Sequence, residues 1–153
     1  MALYLVQHGK SLPKDQDPDQ GLSEEGKAET EMIAKTAKEK GVTVAQIRHS
    51  VKTRARQTAE ILAQALNPNR GVQEISGIKP MDDVAEASAN LDPSENVMLV
   101  GHLPFMERMT AFLVTGSIDK PILKFQNSGI VCLDKDPDTQ AWVILWALLP
   151  NIG

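Results

Sequence analysis

The sequence predicts an α/β protein: a three-layer α/β/α sandwich around a mostly parallel central sheet with one antiparallel edge strand. Three observations predict it. Two continuous apolar runs, residues 3–6 (Leu-Tyr-Leu-Val) and 97–100 (Val-Met-Leu-Val), read as strands buried on both faces, as in the interior of a parallel sheet. Amphipathic stretches at helical spacing alternate with such runs. Near the C-terminus, residues 129–133 and 141–148 form two apolar runs around a turn-rich linker, residues 134–139, of hairpin type. With 153 residues, 42% hydrophobic and 24% charged, the chain suits one globular domain, residues 1–153, with its own core.

Each element has a local reason. Residues 12–21 carry two prolines and a glycine, which predicts a loop. Ser23 is placed to cap a helix with Glu24 and Glu25 in its first turn, running to about Lys40, with Gly41 as its stop. Gly26, Thr30, Ile33 and Ala37 share one small face, so this helix is expected to pack close to the sheet. Residues 44–50 predict a short strand ending at Ser50. The next helix carries the stripe Ala55, Thr58, Ala59, Leu62, Ala65 and Leu66 and ends at Pro68. Residues 69–81 read as irregular, with a short strand near 72–75, then a short helix over 82–90 and a turn over 92–96. Pro104 opens a helix with Phe105, Met109, Phe112 and Leu113 on its apolar face. Residues 116–128 form a loop around Pro121. Trp142 and Trp146 fall on one face of the last strand, where core or edge packing is expected.

Composition excludes several functions. A formal net charge of −4 and few aromatic residues argue against nucleic acid as a partner. The single Cys132 lies in an apolar run and reads as a small buried hydrophobe, and no cysteine–histidine spacing suits zinc. No basic leader precedes an apolar segment and no run approaches ~18 apolar residues, so a cytoplasmic protein without a membrane partner is expected. Nucleotide-binding glycine loops and metalloprotease motifs are absent.

The candidate chemistry lies at the strand ends. His8 and His102 each follow a buried-type strand beside a glycine, and ligands of open α/β sheets sit at the carboxyl ends of strands. Arg54 stands in the first turn of a helix, where the dipole disfavours a cation. Two readings stand side by side: a surface arginine like Lys52 and Arg56, or a cation serving an anion held at the helix N-terminus. If the three converge, they suit a phosphoryl group. An imidazole attacks phosphorus in line, and the planar guanidinium fork binds equatorial oxygens.

Four motifs carry a resemblance. Leu5-Val6-Gln7-His8-Gly9 resembles the strand and Arg-His-Gly signature of the histidine phosphatase superfamily, the branch that includes phosphoglycerate mutases. Leu22-Ser23-Glu24-Glu25-Gly26 resembles its Leu-Thr-x-x-Gly, and residues 50–59, from Ser50 through Arg54 to Ala59, its Ser-x-x-x-Arg-Ala-x-Gln-Thr-Ala. Gly101-His102-Leu103-Pro104 resembles its Gly-His-x-Pro. The motifs stand in family order over about two thirds of the chain. The small size and the short connection around Lys79 to Asp83 most resemble the SixA group of protein phosphohistidine phosphatases.

The resemblance implies a metal-free, cofactor-free, two-step phosphatase acting on a phosphorylated protein or a small phosphate ester. His8 is then the nucleophile that carries a phosphohistidine intermediate. Arg54 and His102 bind the phosphoryl oxygens, His102 best as a cation. Gln7 stands where the family has a phosphate-binding arginine, so activity is expected to be reduced. Lys10 and Ser11 are further phosphate-binding candidates, and Lys10 is the one able to restore the lost charge. Asp82, Asp83 and Glu86 are the candidate general acids. If none of them serves, an easy leaving group is implied, and phosphohistidine supplies one. The alternatives are a small-molecule phosphomonoesterase and a weakly active or non-catalytic phosphate-binding module.

Overall fold

The computed structural model describes residues 1–91 and 94–152. A six-stranded sheet runs through it: β1 (Leu3–Gln7), β2 (Gln46–His49), β3 (Val72–Glu74), β4 (Val97–Gly101), β5 (Ile130–Lys135) and β6 (Trp142–Leu148), in the spatial order β3-β2-β4-β1-β5-β6. The β1–β4, β2–β4 and β2–β3 pairs are parallel, and antiparallel pairing is confined to β1–β5 and the β5–β6 hairpin at one edge. Helices α1 (Glu24–Glu39), α2 (Thr53–Leu66), α3 (Val84–Ala89) and α4 (Phe105–Thr115) complete the fold.

Period-two alternation along the strands divides the core in two. Tyr4, Val6, Ile47, Met98, Val100, Ile130 and Cys132 face α1 and α2, whose Ile33, Ala37, Ala55, Ala59 and Leu62 close that side. Leu3, Leu5, Val97, Leu99, Val131 and Leu133 face α3 and α4, against Val84, Phe105, Met106 and Met109. The result is the expected three-layer sandwich. The face of α4 is rotated from the sequence reading: Met106, Thr110 and Ala111 are buried, while Phe112 and Leu113 are half-buried at its margin.

The caps follow the sequence. Ser23 accepts from the Gly26 N–H at the start of α1, and α1 buries Gly26, Thr30, Ile33 and Ala37 as expected. The α2 helix stops at Asn67 in the left-handed conformation, one residue before Pro68. Of the turn expected over 92–96, Asp92 and Pro93 lie outside the described residues.

The tryptophans are a correction. The β5–β6 register slips between Cys132 and Leu133, so that Cys132 pairs Trp146 while Leu133 pairs Ile144. The extra residue flips the alternation. Trp146 packs on Tyr4, with ring centroids 5.9 Å apart, on the α1–α2 side, while Trp142 lies against the α3–α4 core.

Candidate active site

Register brings the two histidines together. β1 and β4 are adjacent and parallel, and Gln7 and Gly101 are register partners. The next residue on each strand is therefore His8 and His102, and their ring centroids lie 5.1 Å apart at the carboxyl end of the sheet. The His8 backbone is held on both sides: its N–H donates to Gly101 O at 2.9 Å, and Asn127 Nδ2 donates to its carbonyl at 2.9 Å.

The ring of His8 has a defined proton. Its Nδ1 lies 2.7 Å from the Gly9 carbonyl, which can only accept, so Nδ1 carries the hydrogen and Nε2 carries the lone pair. Arg54 Nε donates to that Nε2 at 3.3 Å. Burial, aided by the Arg54 charge and opposed by the Gly9 hydrogen bond, holds the His8 pKa below its ordinary value. His8 is thus a neutral ring at physiological pH, with the Nε2 electron pair turned to Arg54.

Arg54 stands in the first turn of α2, as its spacing from Ser50 requires. The N-cap of α2 is Lys52, with no side-chain cap and no acid in the first turn. That leaves N–H groups and the positive end of the helix dipole for an anion. Partial burial lowers the Arg54 pKa, but a guanidinium remains charged.

His102 is buried, at 1% exposure. Its Nε2 is 2.5 Å from Ser50 Oγ, and its Nδ1 is buried without a hydrogen-bond partner among the described residues. Burial, and then the positive charges and rings around it, push its pKa down to about 3. In the free protein burial, and then His8, Arg54 and Lys52, disfavour imidazolium, whereas the cationic His102 of the sequence reading refers to the phosphoryl-bound state.

What converges is a lone-pair imidazole nitrogen, a guanidinium, a second imidazole and an open helix N-terminus. These groups suit a tetrahedral oxyanion. A model of the histidine phosphatase superfamily (branch 1) matches residues 3–82, just over half of the chain. The chain belongs to the histidine phosphatase superfamily.

The chain is similar to the protein histidine phosphatase SixA complexed with tungstate, at 25% identity and a TM-score of 0.84 over 98% of this chain and 97% of that one. It is also similar to a provisionally assigned phosphohistidine phosphatase SixA from Agrobacterium tumefaciens, at 27% identity and a TM-score of 0.77 over 97% of each chain. A relative from Picosynechococcus, an uncharacterized protein, is 30% identical over 87% of this chain and 84% of its own. Family and SixA likeness together support a phosphatase, a hydrolase of phosphate groups.

Within this chain the remaining candidates separate. Gln7 is half-buried beside His8, and its Oε1 is buried without a partner among the described residues. Lys10 does not restore the missing charge: its Nζ reaches Glu25 at 2.8 Å and Glu29 at 3.5 Å on α1, and these carboxylates raise its pKa. Ser11 forms an isolated backbone bridge with Leu22. Asp82 accepts from the Lys79 N–H, Asp83 caps α3 through the Ala85 and Glu86 N–H groups, and Glu86 is exposed in the first turn of α3. All three line a cleft of about 410 Å³ with Arg48, Lys79 and Leu99, and the lining of that cleft includes none of His8, Arg54 and His102. Among the described residues no hydrogen bond or ion pair joins the candidate acids to His8, Arg54 or His102.

Several residues brace the site, a role beyond the packing positions read from the sequence. Thr58 Oγ1 accepts from the Gly9 N–H at 2.9 Å and donates to Arg54 O at 2.8 Å, tying nucleophile loop to arginine helix. Gln57 Oε1 accepts from Leu22 N–H at 2.7 Å. A Cβ on Gly26 would sit 2.0 Å from Lys10 O, so only glycine lets α1 approach this loop. Ser128 N–H donates to Gln7 O at 2.9 Å, and its hydroxyl bonds Thr30 at 2.7 Å. Thr58, Gln57 and Gly26 were visible as motif positions. Asn127 and Ser128 lie in a loop whose sequence signals nothing.

Proposed function

We propose that this protein is a metal-independent phosphatase that removes phosphate from phosphohistidine in a protein, through a phosphohistidine intermediate on His8. The observation that carries the reading is the pairing of a lone-pair His8 Nε2 with Arg54 at the open N-terminus of α2. In the first step Nε2 attacks phosphorus in line. The substrate imidazole, which takes a proton from solvent on its nitrogen remote from phosphorus before attack, leaves as neutral imidazole when its bond to phosphorus breaks. Arg54 and His102 donate to the phosphoryl oxygens as charge redistributes. In the second step water attacks the phosphorus on His8, phosphate departs, and Nε2 regains its electron pair.

The leaving group supports the choice of substrate. An alkoxide leaving group needs a positioned acid, and Asp82 and Asp83 are engaged by N–H groups of their own turns while Glu86 is exposed. Imidazole leaves readily once protonated. A small-molecule phosphomonoesterase is correspondingly disfavoured.

A second reading has its own observation. Gln7 is neutral and Lys10 is engaged by Glu25 and Glu29, so the site holds one arginine where the family places two. Removing one preorganised donor costs about 10²–10³ in rate in other enzymes. A weakly active phosphate-binding module is what that loss would leave.

The test is phosphate release from a phosphorylated histidine carrier protein and from an aryl phosphate, by wild type, Gln7→Arg and His8→Ala. The proposal expects release from the carrier, little from the aryl ester, none with His8→Ala, and a rise with Gln7→Arg. Release that survives His8→Ala sinks the mechanism. Tight phosphate binding with no release in wild type or Gln7→Arg would establish the binding module instead.

A further inference from the structure

We propose that Ser50 is a positioning residue that fixes the proton of His102 on Nδ1, so that His102 meets a phosphoryl group as a neutral donor. The proposal rests on the phosphoryl reading of the site only for the identity of the anion.

Ser50 is 1% exposed and held at the end of β2 by its N–H, which donates to Val100 O at 3.2 Å. Its Oγ receives the Lys52 N–H at 3.4 Å and lies 2.5 Å from His102 Nε2. Among the described residues His102 Nε2 is the acceptor within hydrogen-bond distance of Oγ, and the Lys52 N–H can only donate, so the hydroxyl hydrogen goes to Nε2. A nitrogen that accepts carries no proton, so the neutral ring keeps its hydrogen on Nδ1. That Nδ1 is buried and has no partner among the described residues. It belongs to the ring 5.1 Å from the His8 ring, and a buried N–H without an acceptor is unfavourable until an acceptor arrives. An incoming phosphoryl oxygen beside His8 supplies one.

The same geometry disfavours the imidazolium. A cationic His102 would donate from Nε2 to Oγ, and the Ser50 hydrogen would then need a new acceptor. The charged groups acting on the ring, Lys52 and Arg54, are both cations, with the His8 ring beside them. The assignment accounts for a residue of the Ser-x-x-x-Arg motif that contacts neither the nucleophile nor the arginine in the hydrogen-bond network around them.

The experiment is the ¹⁵N spectrum of the histidine rings of the full chain at neutral pH, for wild type, Ser50→Ala and Ser50→Thr. Expected for wild type is a His102 ring protonated at Nδ1 and bare at Nε2. Ser50→Ala should give a mixture of tautomers, and Ser50→Thr, which keeps the hydroxyl, should restore the single one. Affinity for inorganic phosphate should fall about tenfold with Ser50→Ala, one hydrogen bond's worth, and recover with Ser50→Thr. A proton on Nε2 in wild type overturns the proposal even if Ser50→Ala does not fold. So does a wild-type pattern, or undiminished phosphate affinity, in a folded Ser50→Ala. Absence of turnover on every phosphohistidine substrate would strike the phosphatase reading and leave the tautomer result standing.

Discussion

Two clusters of ionisable side chains stand in this molecule, and they are built differently. Around His8, partners come from far along the chain: Arg54 is 46 residues away, Thr58 is 49 from the Gly9 it holds, and Asn127 is 119 from His8. Around α3, partners are local: Asp83 caps a residue two positions on, and Asp82 one three positions back. A carboxylate that satisfies the N–H groups of its own turn stabilises that turn and is spent there. An imidazole whose surroundings are assembled from four separate segments exists in that state only in the folded chain, and that is the mark of a site.

The contrast can be broken from either side. The largest expected effect is on turnover: Arg54→Ala should lower phosphate release by about 10²–10³-fold, as removal of a preorganised donor does. A loss of less than tenfold in single-turnover phosphate release would mean that Arg54 is a surface cation after all. Next is stability. Thr58→Val leaves the buried Gly9 N–H unpaired and should cost about 1–3 kcal/mol in urea unfolding. Asp83→Ala should cost about 1 kcal/mol, the worth of a local cap, and shift phosphate release by less than twofold. If Asp83→Ala abolishes release while Thr58→Val is silent, the comparison has the clusters reversed.

A further effect is on pH dependence. His102 is held neutral, with a folded pKa near 3 against an ordinary value of 6.5. Below 6.5 the unfolded chain binds a proton at this residue that the folded chain refuses. Stability from this group is therefore full above 6.5 and falls as pH drops from 6.5 towards 3. His102→Gln should flatten the unfolding profile in that window. An unchanged slope between pH 6 and 4 would show that His102 takes up its proton in the folded state.

Much of this was legible in the chain. Ser23, Glu24 and Glu25 announce α1 because a cap is a local bond, and the apolar runs 3–6 and 97–100 announce β1 and β4 because burial on both faces needs continuous apolar character. The convergence of His8, Arg54 and His102 follows from strand adjacency. The rest depends on where long side chains turn, which no periodicity records. Lys10 swings to Glu25 and Glu29, His102 lies near Arg54 and Lys52, and one bulge at Leu145 sends Trp142 and Trp146 to opposite faces.

The lone thiol has a practical consequence. Cys132 is 2% exposed in the middle of β5, and burial, together with Asp134, raises its pKa to about 11. In the native state it is neither a thiolate nor within reach of a reagent, and thiol alkylation needs both. Modification of this protein by iodoacetamide therefore counts the moments at which the centre of its sheet comes apart. The chain carries its own clock for opening, read at one atom far from the histidines, and every variant named above can be timed by it without an added label.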